Sequence, residues 1–106
     1  MDSLFRDLPS NAEAAERFEE LLTRPGVRIE RIVSSGQSTP PGEWMEQPRD
    51  EWVLLVAGRA GLTLEGDPPL TLTPGDHLLI SANRGHRVDW TDTPTVWLAV
   101  HLEGGR

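Results

Sequence analysis

Two side chains in this sequence stand where a carboxylate and an imidazole could work together. Glu51 opens an apolar segment, and His86 follows a loop that ends in glycine. Such a pair can help to hold a divalent metal ion, or it can move protons as a general acid and base. A carboxylate at the start of an apolar strand is costly to bury without a partner, so we expect Glu51 to face a polar cavity. For His86, a role in that cavity and a hydrogen-bonded place in the core are both open interpretations.

The composition removes several other chemistries. The 106 residues include no cysteine, and all ten basic residues are arginine. A thiol nucleophile, a disulfide, a thiolate zinc site and a lysine Schiff base are therefore excluded. Seventeen acidic residues against ten basic ones give a formal net charge of −7. This balance argues against a nucleic-acid partner, because phosphate backbones are bound by clustered positive charge.

The spacing around these two residues resembles that of small single-domain cupins, from about Val27 to Leu102. Six residues separate Glu51 from Gly58, as in the first cupin motif. Gly75 and His86 are separated as are the glycine and the histidine of the second motif. The resemblance implies a jelly-roll β-barrel, and it places Glu51 and His86 at two of the family's metal-ligand positions.

The other ligand positions depart from the family pattern. Gln47 and Met45 stand where cupins carry a His-x-His pair. Gln47 offers only a neutral carbonyl oxygen, and Met45 is more often a space-filling side chain than a soft ligand. His101 lies in the last predicted strand, and alternation alone does not show whether it faces inward. The candidate ligands for an optional divalent ion (iron, manganese, zinc or nickel) are therefore Gln47, Glu51, His86 and His101.

Aromatic and basic side chains near the motifs indicate a small-molecule pocket. Trp44 lies in the loop before the motif carboxylate, and Trp90 is four residues after His86, on the same face of a regular strand. Small-molecule sites combine apolar walls with a few polar groups, so we expect Trp44, Met45 and Trp90 to line the pocket. Arg84 could bind a ligand carboxylate there, with an ordinary exposed charge as the alternative.

Short strands between Gly/Pro turns must position these side chains. The segments with strand-like patterns are 27–33, 52–57, 62–65, 70–72, 77–80, 86–91 and 95–102. Short strands with turn signals at a spacing of roughly 8–12 residues are typical of a β-sandwich or a closed barrel. Together with the motif spacing, this pattern predicts an all-β fold, a cupin-like jelly-roll β-barrel.

One short α-helix is predicted before the barrel. Ser10 and Glu13 have capping-box spacing, and apolar residues recur at helical spacing over residues 11–23. A Pro-Gly pair ends this segment. The predicted organisation is a helical segment over residues 1–26 followed by a cupin barrel over residues 27–106.

The strand after Glu51 carries large apolar side chains on both of its faces. Strand alternation assigns the residues to two faces, Glu51, Val53 and Leu55 on one and Trp52, Leu54 and Val56 on the other. One face meets the interior, and the other needs the helix or a second subunit, because an exposed apolar row would be a sticky patch. The sequence therefore predicts a homodimer.

Three functions are compatible with these features. The first is a protein that binds a small molecule, and optionally a divalent metal, inside the barrel. The second is a metal-dependent small-molecule enzyme of the isomerase, epimerase or dioxygenase class, and the third is a non-catalytic interaction module with a degenerate site. The missing His-x-His pair counts against oxygenase chemistry.

The charged first ten residues and short apolar runs predict a cytoplasmic protein with no membrane partner.

Overall fold

Two antiparallel β-sheets stack to form the fold in the computed structural model, which describes residues 1–103. The eight strands are β1 (Arg17–Arg24), β2 (Val27–Ser34), β3 (Asp50–Ala57), β4 (Ala60–Leu64), β5 (Leu70–Leu72), β6 (His77–Ile80), β7 (His86–Thr91) and β8 (Thr95–Leu102). The larger sheet has the order β1-β2-β8-β3-β6, and the smaller has the order β5-β4-β7. Since the strands of the described residues form two separate sheets, the jelly roll is a sandwich rather than a closed barrel.

The predicted all-β jelly roll is confirmed. Strands β5, β6, β7 and β8 have the predicted bounds, and β2, β3 and β4 differ by at most two residues at an end. Alternation along β3 and β8 points Val53, Leu55 and Trp97 into the space between the sheets, where Leu62 of the smaller sheet meets them. The apolar alternation of the sequence therefore sets which side chains form the core.

The predicted N-terminal helix is wrong. Residues 17–24 form β1, which pairs with β2 from Arg17 opposite Val33 to Arg24 opposite Val27. The Pro-Gly pair that signalled a helix end is the turn of this hairpin, where Gly26 has a φ of +80°. Pairing with β2 gives the backbone of β1 its hydrogen-bond partners, and this tertiary gain outweighs a weak local helix propensity. The predicted boundary at residue 26 therefore falls inside a hairpin of the larger sheet.

The residues of the predicted capping box have other partners. The backbone N–H of Glu13 donates to Ser35 Oγ at 2.9 Å instead of bonding to Ser10. The Glu13 carboxylate accepts a hydrogen bond from Arg17 Nη2 at 2.6 Å. These Arg17 contacts hold the pKa of the Glu13 carboxyl below its ordinary value. The acidic side chain thus links the N-terminal segment to the start of β1.

The described residues contain no helix that is long and apolar enough to cross a bilayer.

The outer face of the larger sheet is apolar and half-exposed around β3 and β6. Trp52 lies opposite Leu79 across this strand pair, and its ring centroid is 5.4 Å from that of His77. Leu79 is 50% exposed. This is the face for which the sequence predicts a second subunit.

We expect light scattering at micromolar concentration to report a dimer. Replacing Leu79 with arginine should shift the protein to a monomer, because a charged side chain on this face opposes burial against a second copy. Thr71→Arg is the matched control, since Thr71 is exposed on the smaller sheet. A monomeric wild-type protein would contradict the prediction.

Candidate functional site

A cavity of about 570 Å³ lies between the two sheets. Most of its wall is apolar and comes from strands of both sheets: Ile32, Val53, Leu62, Ile80, Val88 and Trp97. One side of the rim is the loop before β3, which contributes Trp44, Met45, Glu46 and Gln47. A cavity of this size and lining is typical of a small-molecule site.

His86 presents one defined ring nitrogen to the cavity. The side chain is 7% exposed and lines the cavity at the start of β7. Its Nδ1 lies 3.2 Å from the carbonyl oxygen of Arg84. Because a carbonyl oxygen only accepts, this partner assigns the proton of the neutral imidazole to Nδ1, and Nε2 then carries the lone pair. Two backbone hydrogen bonds with Met45, at 2.8 and 3.0 Å, fix the strand start against the rim loop.

Glu51 faces the same cavity from β3 and is 9% exposed. Gln47 Nε2 donates to Glu51 Oε1 at 2.6 Å. Arg49 pairs with Glu103 at 3.3 Å and Arg84 with Asp67 at 3.0 Å, so neither arginine neutralises Glu51. Within residues 1–103, no cationic side chain forms a salt bridge with Glu51. A neutral amide is therefore the hydrogen-bond partner of this buried carboxylate in the described chain.

His101 lies inside the cavity, which settles the question that strand alternation left open. It stands opposite Glu51 where β8 pairs with β3. Its Nε2 donates to Glu30 Oε1 at 3.0 Å, since a carboxylate only accepts. Its Nδ1 is buried and has no hydrogen-bond partner among the described residues. The imidazole is thus held in one orientation by a carboxylate on the neighbouring strand.

Three further carboxylates at the cavity escaped prediction. Glu30 lies on β2, Glu16 just before β1, and Glu46 on the rim loop. Alternation in β2 puts Glu30 on the face of Ile32, which is a signal for an inward carboxylate. The contact with His101 also needs the β2–β8 register, which the sequence does not contain. Glu16 was not predicted to line the cavity because its segment, residues 11–23, was predicted to be helical.

Trp90 does not line the cavity, contrary to the prediction. The pairing of β7 with β4 shifts register between Gly61 and Leu62, so that Trp90 faces Gly61 and Val88 faces Leu62. This β-bulge reverses the alternation after Val88 and turns Trp90 to the outer face. There its indole packs over Gly61, where a Cβ would overlap the ring.

Arg84 is also outside the described cavity lining. Its guanidinium binds the Glu65 carbonyl oxygen at 2.9 Å and the Asp67 carboxylate at 3.0 Å. Arg84 contributes to the site through its backbone carbonyl, which orients His86.

Trp44 and Met45 line the rim of the cavity, as predicted. The guanidinium carbon of Arg87 lies 4.4 Å from the Trp44 ring centroid.

The four predicted metal ligands, Gln47, Glu51, His86 and His101, all line the cavity. Among residues 1–103, no group of three His, Cys, Asp or Glu side chains is placed to hold a metal ion. Protein metal sites of the catalytic type use about three protein ligands. Here Gln47 directs its amide nitrogen to Glu51, and His101 is bound to Glu30. As its side chains are placed here, this donor set does not fit a divalent metal.

The sequence model of the Cupin domain family matches residues 32–101, and the chain belongs to this family. The matched region runs from the last three residues of β2 through β3–β7 and nearly all of β8. A comparison of the sequence with curated proteins finds no match.

Solved structures show the same fold. The chain is similar, at 50% identity and a TM-score of 0.92, to a protein from Ralstonia eutropha JMP134 described as a "putative mannose-6-phosphate isomerase", with 98% of each chain covered. A cupin superfamily protein from Desulfitobacterium hafniense DCB-2 is 22% identical with a TM-score of 0.73, over 89% of this chain and 83% of that one. A DMSP lyase from Ruegeria pomeroyi DSS-3 is 21% identical with a TM-score of 0.71, over 99% of this chain and 53% of that one. The last two likenesses concern the fold alone.

Proposed function

We propose that this cupin domain binds a small organic molecule in the cavity between its two sheets. The observation that carries the proposal is that His86 and Glu51, two buried polar side chains, line the same cavity with largely apolar walls. His86 Nε2 is an acceptor with a fixed direction, and Glu51 has only a neutral partner in the described chain. Apolar walls supply affinity, and these two groups supply orientation.

Filling the cavity tests this proposal. Val88→Phe adds volume to the cavity wall on β7, and we expect it to abolish the thermal stabilisation that cavity-binding fragments give to the wild-type protein. Thr71→Phe is the control, because Thr71 is exposed on β5 of the smaller sheet and does not line the cavity. Differential scanning fluorimetry with a library of soluble fragments measures the effect. Fragments that stabilise the wild type and Val88→Phe equally would contradict the proposal, and no stabilising fragment at all would favour the interaction module.

An acid–base enzyme is the second candidate. His86 and Glu51 are the two groups that could take up or release a proton at a bound ligand, and the Arg84 carbonyl already fixes the His86 tautomer. An isomerase or epimerase needs such groups beside an enclosed substrate. In that case His86→Gln should remove turnover while leaving the fold intact, whereas a binding protein shows ligand stabilisation without turnover.

Mannose 6-phosphate is a poor match for this cavity. The described lining includes four carboxylates, Glu16, Glu30, Glu46 and Glu51, and no arginine. A phosphate dianion would meet like charges and lack the guanidinium donors that usually bind it. We therefore expect neither binding nor isomerisation of mannose 6-phosphate, as measured by calorimetry and a coupled assay. Saturable binding that Val88→Phe removes would overturn this expectation.

A further inference from the structure

We infer that the occupant of the cavity is an organic cation whose ammonium group donates hydrogen bonds to Glu51 and His86. This inference rests on the proposed small-molecule function and specifies the chemical class of the ligand. Three independent features of the cavity support it: the state of its hydrogen-bond donors, the balance of its charges and the nature of its walls.

Each side-chain donor group in the inner cavity already makes a hydrogen bond. Trp97 Nε1 donates to Ser34 Oγ at 3.2 Å, and His101 Nε2 to Glu30 at 3.0 Å. Gln47 donates to Glu51, and His86 Nδ1 to the Arg84 carbonyl oxygen. The indole N–H of Trp44 remains at the half-exposed rim. The inner cavity therefore offers acceptors, chiefly His86 Nε2 and the Glu51 carboxylate, and it favours a ligand that brings the donors.

The charge balance at the cavity favours a positive ligand. Glu51 is only 9% exposed, and no cationic side chain within residues 1–103 pairs with it. Glu30 has a partial counter-charge in Arg28, whose Nη1 lies 3.6 Å from its carboxylate. Glu16 accepts a hydrogen bond from the neutral Ser34 hydroxyl. A buried carboxylate is stable when it is paired with a cation, so a ligand ammonium would complete the site at Glu51.

The walls indicate an organic cation rather than a metal ion. No group of three metal-binding side chains forms in the described residues, but an ammonium group needs only one or two acceptors. Phe18, Trp44 and Trp97 line the cavity together with aliphatic side chains. Aromatic faces attract alkylammonium groups as well as apolar carbon. A ligand with a charged head and an apolar body matches both parts of the cavity.

Two isosteric probes test the inference with the full-length protein. The probes are 2-phenylethylammonium and 2-phenylethanol, which differ in the head group and share the apolar body. Isothermal titration calorimetry at neutral pH should give at least about tenfold tighter binding for the ammonium probe, the effect of one charge-assisted hydrogen bond. Glu51→Gln keeps the side-chain shape and the acceptor for Gln47, and it should remove that preference. Glu43→Gln is the matched control on the exposed part of the rim loop and should leave it unchanged.

The possible outcomes separate this inference from the function on which it rests. Preference for the ammonium probe that is lost in Glu51→Gln supports both. Equal affinity of the two probes, or a preference for the alcohol, overturns the cation and leaves a small-molecule site. A preference that persists in Glu51→Gln also overturns the inference, because the charge then acts elsewhere. Absence of binding by both probes, with melting temperatures showing folded protein, overturns the cation and counts against the cavity. Tighter binding of zinc or nickel than of the ammonium probe, lost in Glu51→Gln, overturns the organic cation in favour of a metal.

Discussion

Replacing Gly58 with alanine is expected to lower the free energy of unfolding by about 2–5 kcal/mol. Gly58 has a φ of +81°, a left-handed conformation that costs an L-residue about 1–2 kcal/mol. A Cβ there would also stand 2.8 Å from the Thr95 Cα and closer still to the Pro94 carbonyl oxygen. Overpacking of this kind costs typically about 1–3 kcal/mol more, because backbone atoms must shift. Urea denaturation monitored by tryptophan fluorescence measures the loss.

Gly66→Ala separates the two contributions to this loss. Gly66 has a φ of +93°, but nothing lies within 4 Å of the position of its Cβ. It should therefore lose only the conformational part, about 1–2 kcal/mol. Equal losses in the two variants would show that the close approach of β3 to the Pro94–Thr95 segment does not matter. A larger loss of stability in Gly58→Ala would explain why glycine ends the first motif, because the chain turns there in close contact with Pro94 and Thr95 at the start of β8.

Replacing His86 with alanine is expected to weaken binding of 2-phenylethylammonium by about 10- to 100-fold while the protein stays folded. The imidazole contributes the free Nε2 acceptor, and a hydrogen bond to a charged group contributes about 1.5–3 kcal/mol. The backbone pairing with Met45 does not involve the side chain, so the rim loop keeps its attachment. Calorimetry gives the affinity, and near-UV circular dichroism reports whether the core is packed.

His77→Ala is the matched control for this experiment. His77 is exposed on the outer face of the larger sheet, beside Trp52. It should leave the affinity unchanged. Equal weakening by His77→Ala and His86→Ala would place the effect outside the cavity and contradict the assigned role of His86.

The strands of the sandwich were predictable because alternation is a local signal. Residues 70–72, 77–80, 86–91 and 95–102 form strands with the expected bounds. The helix prediction failed because the capping-box spacing and the apolar repeat before Pro25 are also local, while the pairing that decides the structure is not. The preference for a strand comes from pairing with β2, seven residues of which lie opposite residues of β1.

The candidate site was predictable where the motif spacing fixed both position and direction. Glu51 and His86 line the cavity, and the loop before β3 brings Trp44, Met45 and Gln47 to its rim. The prediction for Trp90 was wrong because one bulge residue in β7 reverses the direction of every later side chain on the strand. No residue type in the sequence indicates that bulge. The Glu30–His101 pair could not be predicted for a different reason. Its two residues are far apart in sequence and meet only through the strand register.

The most direct test of the cavity as a ligand site uses the four tryptophan indoles as internal reporters. Trp44 and Trp97 line the cavity, whereas Trp52 and Trp90 lie on the outer faces of the two sheets. Each indole N–H gives a separate signal in a ¹H–¹⁵N correlation spectrum. Titration with 2-phenylethylammonium should move the signals of Trp44 and Trp97 and leave those of Trp52 and Trp90 in place. Shifts confined to Trp52 or Trp90 would place the bound molecule outside the cavity and contradict the proposed function.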